Sequence, residues 1–193
     1  LEEISNQGLR HWFSENLPFQ IEKHFPGINI DDNYNGIGIS LGYDKKFNQM
    51  FITKLDYQPK SEDVKYNFET NKFYLQSSNQ EVRLSDKKYF KNKSWTVSYS
   101  FYRKEWVSWM SWTPLYYLDG INTFLTGNEK GSFLHNTTNK SYGVFFNKIH
   151  PFIVETMSKG KLNQNIVRSI TYYADFVRYH NDYDFYYTRD EHF

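Results

Sequence analysis

Few residues in this chain are spaced for chemistry, and each candidate set also has a plainer role. Asp31, Asn33, Asn35 and Gly36 reproduce the first half of a D-x-N-x-N-G calcium loop. Such a loop closes with a bidentate Glu at its twelfth position. Gly42 stands there, and strand-like alternation follows where an exiting helix belongs. The stretch therefore reads as a turn entering a hairpin, because Asp, Asn and Gly all favour turns. His11, His24, His135, His150, His180 and His192 include no pair at H-x-x-x-H spacing. His135 and His150 lie in the strand-rich part and can meet in space, with hydrogen bonding as their expected role. Glu105, Asp119 and Glu155 offer carboxylates for glycoside hydrolysis, but nothing sets the separation that such a pair needs. Glu105 and Asp119 also sit in apparent turns. There is no G-x-S-x-G, no Gly-rich phosphate loop and no H-E-x-x-H. Lys87, Lys88, Lys91 and Lys93 interleave with Tyr89 and Phe90, as bases and rings do in single-strand binders. They are the candidate nucleic-acid contacts, and they equally describe a solvated segment before a strand. Asn92, Asn136 and Asn139 fall in N-x-[ST] sequons, for which chance in an Asn-rich chain is the expected explanation. The expectation is no catalytic set, no metal site and no cofactor.

The elements that would position any of these groups are organised around Trp95 to Pro114. Trp95, Val97, Tyr99 and Phe101 alternate with Thr96, Ser98 and Ser100, the period of a half-buried strand. Tyr102 to Glu105 interrupts the pattern, and a second strand, Trp106 to Thr113, runs to Pro114, making an antiparallel hairpin with a longer loop. Strict alternation puts Trp106 and Trp112 on one face of that strand and Trp109 on the other. A strand apolar on both faces is expected to be central in its sheet or covered by a neighbouring subunit. Trp95, Tyr99, Trp106, Trp109 and Trp112 are thus the expected core or interface residues.

The bulk composition agrees. Aromatics make up 20% of the 193 residues, and Ala174 is the lone alanine, so strand formers dominate and the usual helix filler is scarce. A chain of this length can hold a core without staples, and it has no cysteine to staple with. A net charge of +1 supplies no global field to recruit nucleic acid or an anionic membrane. No apolar run approaches the roughly 20 residues of a membrane span, and no signal peptide is visible.

Residues 4 to 25 form the helix candidate. Ser5 would cap it, Leu9, Trp12, Phe13 and Asn16 form its stripe, and Pro18 breaks it so that Ile21 and Phe25 continue as a second piece. Ile37, Ile39 and Leu41 begin a hairpin that turns at Asp44 to Phe47 and returns through Met50 to Thr53. Asp56 to Tyr66, with Pro59, reads as loop, and Lys87 to Lys93 as a basic linker. Tyr116 to Leu118, Asn122 to Leu125, Ser132 to His135, Tyr142 to Phe146, Phe152 to Thr156 and Val167 to Arg178 continue as strands. Their spacing of about 8 to 12 residues fits a sandwich, barrel or propeller. The fold expected is mainly β, with antiparallel sheets in a β-propeller-like or sandwich assembly and an N-terminal helix. Residues 1–30 form the helical segment, 31–178 the antiparallel domain and 179–193 an acidic, aromatic tail. A propeller blade takes roughly 40 residues, so the chain supplies too few for most closed rings.

Several strings carry a resemblance. They are Y-D-K-K-F-N-Q-M-F-I-T-K-L-D-Y (43 to 57), W-T-V-S-Y-S (95 to 100), W-V-S-W-M-S-W-T-P (106 to 114), G-S-F-L-H-N (131 to 136) and Y-G-V-F-F-N-K-I-H-P-F-I-V-E (142 to 155). In this order the chain resembles, over about residues 37 to 160, the large tail-muzzle (nozzle) structural proteins of crAss-like bacteriophages. The resemblance implies a virion component located in the tail. Its partners would be sister subunits in a hexameric ring, other segments of the same gene product, other tail proteins and, transiently, exiting DNA. It also implies kinship with β-propeller nozzles, and it transfers no catalytic residue. Such proteins are far longer than this chain, and Leu1 is not a methionine, so a processed product or part of a longer polypeptide is expected. The rival expectation is a carbohydrate-binding β module, which would leave flat rings in solvent on an isolated domain. A β-rich enzyme, third in order, would need an acid pair in a cleft.

Overall fold

The computed structural model describes residues 8–120, 123–135, 144–150, 177–179 and 185–187. The chain divides into two compact units, residues 1–152 and 153–193. In the second unit the described backbone is one antiparallel pair, Val177–Tyr179 with Phe185–Tyr187. The protein is mainly β with antiparallel sheets and an N-terminal helical segment.

The helical segment is two short helices, α1 (Arg10–Asn16) and α2 (Gln20–His24). Pro18 separates them, since it cannot extend the helix hydrogen-bond ladder. Ser5 lies outside the described residues. The four-stranded sheet comprises β1 (Gly38–Asp44), β2 (Gln49–Leu55), β8 (Trp95–Ser100) and β9 (Glu105–Met110), in the order β1-β2-β8-β9. Between β2 and β8 the chain makes β3 (Tyr57–Pro59), β4 (Val64–Asn67), β5 (Lys72–Leu75), β6 (Glu81–Val82) and β7 (Phe90–Asn92). The segments expected to be a loop and a basic linker therefore pair: β3 lies against β7. Polarity misled there because β7 buries only Phe90 and leaves Lys91 and Asn92 in solvent. β4-β5-β6 form a second sheet. β10 (Tyr116–Asp119), β11 (Phe124–Asn128) and β12 (Gly131–His135) form a third, followed by a tight hairpin of β13 (Val144–Phe145) and β14 (Lys148–Ile149). Phe152 to Thr156 lies outside the described residues. Among the described residues every sheet is open.

Two apolar cores result. The first gathers Ile21 of α2 and Phe25 just after it with Ile37, Val64, Phe73, Val82 and Phe90. The second joins Phe51 of β2 to Trp112 and Phe124. It lies where the four-stranded and three-stranded sheets meet. Gly42 allows that approach: a Cβ there would stand 2.3 Å from the Tyr117 ring. The Tyr117 hydroxyl reaches Thr53 Oγ1 at 2.6 Å, and Thr53 Oγ1 is 2.7 Å from Thr96 Oγ1.

Burial pushes the Tyr117 hydroxyl well above the ordinary tyrosine range, with Thr53 and Thr96 pulling weakly the other way. An unfolded tyrosine ionises near pH 10, whereas the folded one holds its proton to higher pH. The stabilisation is thus complete below pH 10 and is lost as pH rises through the folded value, by up to about 1.4 kcal/mol per unit. Thermal unfolding at stepped alkaline pH should show this slope, and Tyr117→Phe should flatten it. Equal slopes in the two proteins would refute the assignment.

Candidate functional site

The tryptophan sheet has one sealed face and one partly open face. Register rows identify them. Leu41, Ile52, Val97 and Trp109 stand directly opposite one another across the four strands. The next row is Tyr43, Met50, Tyr99 and Trp106. Residues opposite in an antiparallel sheet share a face, so Trp106 and Trp109 lie on the same side. Strict alternation would separate them; a bulge between Ser98 and Tyr99 adds a residue on β9 and restores the parity. Trp112, beyond β9, enters the second core instead, 8% exposed. It stacks on Phe145 at 3.8 Å between ring centres. β9 is the edge strand of its sheet, correcting the expectation that it is central.

α1 covers the β8–β9 half of this face. Trp12 meets Trp95 at 4.8 Å and Trp109 at 6.0 Å, and Phe13 meets Trp106 at 5.0 Å. Tyr99 is buried beneath Trp106, with ring centres 5.2 Å apart. Trp95 and Trp106 are half-buried. The row ends differently from its middle: Val97 is 1% exposed, Leu41 62% and Trp109 58%. β1 is in this respect turned over. Its apolar Ile39 and Leu41 face outward, while Gly42 and Asp44 face the sealed side. The alternation of Ile37, Ile39 and Leu41 marks the strand correctly but not which of its faces is buried.

A buried ion pair ties the helices to this sheet. Lys54 Nζ lies 2.7 Å from Asp56 Oδ2, with the two side chains 2% and 0% exposed. Lys54 also donates to the carbonyls of Asn16 and Pro18, each at 2.9 Å. It thereby satisfies the end of α1, where a cation is favoured. Asp56 accepts from the backbone N–H groups of Gln20, Ile21 and Tyr57, so it caps α2 from outside the helix. Burial pulls the Lys54 ammonium below the usual lysine value, and Asp56 opposes that shift. Composition and period carried no sign of this pair, since a polar K-x-D at a strand end looks solvated.

Asp32 accepts from the backbone and side-chain nitrogens of Asn35, and Gly36 takes the left-handed conformation with φ 91°. The Asp31 to Gly36 stretch is thus a turn closed by its own side chains. His135 bonds Thr126 Oγ1 at 2.7 Å and stacks on Phe145 at 3.9 Å. His150 bonds Ser111 Oγ at 2.7 Å and the Phe145 carbonyl at 3.2 Å. The two histidines therefore converge on one ring and pin the β13–β14 hairpin. Glu105 is exposed at the start of β9, and Glu155 lies outside the described residues. Lys87, Lys88 and Lys91 are exposed and Lys93 is half-buried. The Lys88 ammonium rests 4.9 Å from the Tyr89 ring centre, and the Lys87 carbonyl accepts from Lys60. Asn92 accepts from the Ser94 N–H, and Asn136 and Asn139 lie outside the described residues.

One cleft was not foreseen. It has a volume of about 530 Å³ and lies between the Asn33–Asn35 turn, the β4-β5-β6 sheet and the β11–β12 turn. Tyr34, Tyr57 and Tyr66 supply rings, and Asp32, Glu81 and Glu129 supply carboxylates. Its polar residues come from segments far apart in the chain, so no local motif announces it.

These features define a mainly β antiparallel protein with an aromatic sheet face and a polar, tyrosine-lined cleft. No family model matches the chain, and neither a curated protein nor a solved structure matches it.

Proposed function

We propose that the chain is a structural subunit of a bacteriophage tail, a muzzle component that joins sister subunits in a ring around the DNA exit path. The strings that carry the resemblance include β2, β8 and β9, the centre and one edge of the tryptophan sheet. The observation that carries the reading is the row from Leu41 to Trp109, apolar throughout and exposed at both ends. The occupant it fits is a second copy. β1 and β9 are opposite edges of a four-stranded antiparallel sheet, so β9 of one copy can meet β1 of the next and continue the alternation. Leu41 of one copy then covers Trp109 of the other, and both edges gain partners. A head-to-tail contact of this kind generates rings when its rotation closes. Lys87, Lys88 and Lys91 offer weak contact to a passing nucleic acid.

Sedimentation across a concentration series tests the reading. The wild-type chain should self-associate. Leu41→Lys and Trp109→Lys should each give monomers with little change in unfolding midpoint, and mixing the two variants should restore a dimer through their remaining intact edges. A wild-type monomer at every concentration would overturn the proposal and favour an isolated binding module.

A further inference from the structure

We infer that the cleft bounded by Tyr34, Tyr66, Arg83 and Glu129 binds a neutral oligosaccharide. This stands apart from the assembly reading, because none of these residues lies on the tryptophan sheet. The cleft has the size of a small-molecule site, roughly 300–1,000 Å³. Its floor is apolar, made by Ile37, Phe73, Val82 and Leu84. Tyr34 stands at the rim, 90% exposed, offering a flat face to the C–H side of a sugar ring.

The polar groups are set for hydroxyls. Tyr66 donates to Asn71 Oδ1 at 2.9 Å, which fixes that amide and leaves its NH₂ turned to other acceptors. Asp32 is held by Asn35 at 2.7 Å. Lys72 and Glu81 pair at 2.7 Å, so that cation is already neutralised. Arg83 lines the cleft, exposed and without a partner among the described residues. Its planar fork can donate two parallel hydrogen bonds to a vicinal diol. Burial, then the Glu129 charge, raises the Tyr57 hydroxyl, and burial, then Asp32, raises Tyr66. Both hydroxyls therefore keep their protons to higher pH than a free tyrosine, and the Tyr66 proton is already given to Asn71.

Charge selects the class of ligand. Asp32, Glu81 and Glu129 outnumber Lys72 and Arg83 in the lining. That balance disfavours polyanions such as nucleic acids or sulfated glycans. A wholly apolar ligand would leave the carboxylates desolvated without partners. A hydroxyl-rich neutral molecule with one apolar face suits both surfaces.

The test uses the full chain on an array of short neutral gluco-, galacto-, manno- and N-acetylhexosamine oligosaccharides, beside sulfated glycans and nucleotides. The strongest binder is then titrated calorimetrically. Saturable binding to a neutral oligosaccharide is expected, weakened about tenfold or more by Arg83→Ala, the loss of a charged hydrogen bond. Tyr34→Ala should weaken it as well. Both side chains are exposed, so circular dichroism should show both variants folded. Lys88→Ala, outside the cleft, should leave affinity unchanged. The proposal is overturned by an array with no saturable neutral binder, by binding confined to anionic probes, or by affinity that survives both cleft substitutions.

Discussion

Asp56→Ala is expected to cost about 3–5 kcal/mol of folding stability, the loss that follows when one partner of a buried ion pair is removed. The wild-type carboxylate serves the Lys54 ammonium and three backbone N–H groups together. Its removal leaves a buried cation without a counter-charge and the first turn of α2 without a cap. A domain of this kind is stable by only about 5–15 kcal/mol, so the variant should unfold at markedly lower denaturant. Lys54→Met should cost less, because Asp56 keeps its N–H donors and sits at the helix end where negative charge is favoured. Asp56→Asn should fall between the two, retaining one acceptor oxygen while losing the charge. Equilibrium urea unfolding of the three variants measures the order. An Asp56→Ala loss no larger than the roughly 0.5 kcal/mol of an ordinary surface change would remove the pair from any role in holding the helices to the sheet.

The second large effect separates two tryptophans that are close in the chain. Trp112→Ala should cost about 3–5 kcal/mol, the range for truncating a buried large ring. Trp112 stacks on Phe145 and packs 5.3 Å from Phe51, so its loss opens a cavity where the two sheets meet. Trp109→Ala should cost about 1 kcal/mol in the isolated chain, since much of that ring is already in solvent. Its larger consequence should appear in self-association. Equal stability losses in the two variants would show that the register assignment is wrong. A Trp109 variant that associates as well as wild type would show that the face it occupies is not an interface.

The sequence by itself determined the class of fold. Period-two alternation at Trp95 to Ser100 and the break at Pro18 act within a few residues, so they can be read without knowing what packs against them. β8 and the split into α1 and α2 follow directly, whereas Asp119, which reads as a turn residue, ends β10 opposite Phe124. The scarcity of alanine and the wealth of rings pointed the same way. Only the tertiary structure decided which faces are buried. One extra residue on β9 moved Trp109 to the side of Trp106, and a parity count along a single strand cannot see a bulge made in pairing with β8. Ile39 and Leu41 alternate as a core strand would, yet Tyr117 and the three-stranded sheet take the other face of β1, against Gly42. The polar segments at Tyr57 to Pro59 and Phe90 to Asn92 became strands because each found the other across some thirty positions of chain. The Lys54–Asp56 pair and the tyrosine cleft are likewise meetings of distant segments. Alternation reports local geometry, whereas burial, pairing and pocket chemistry depend on which distant surface arrives, and packing alone settles that.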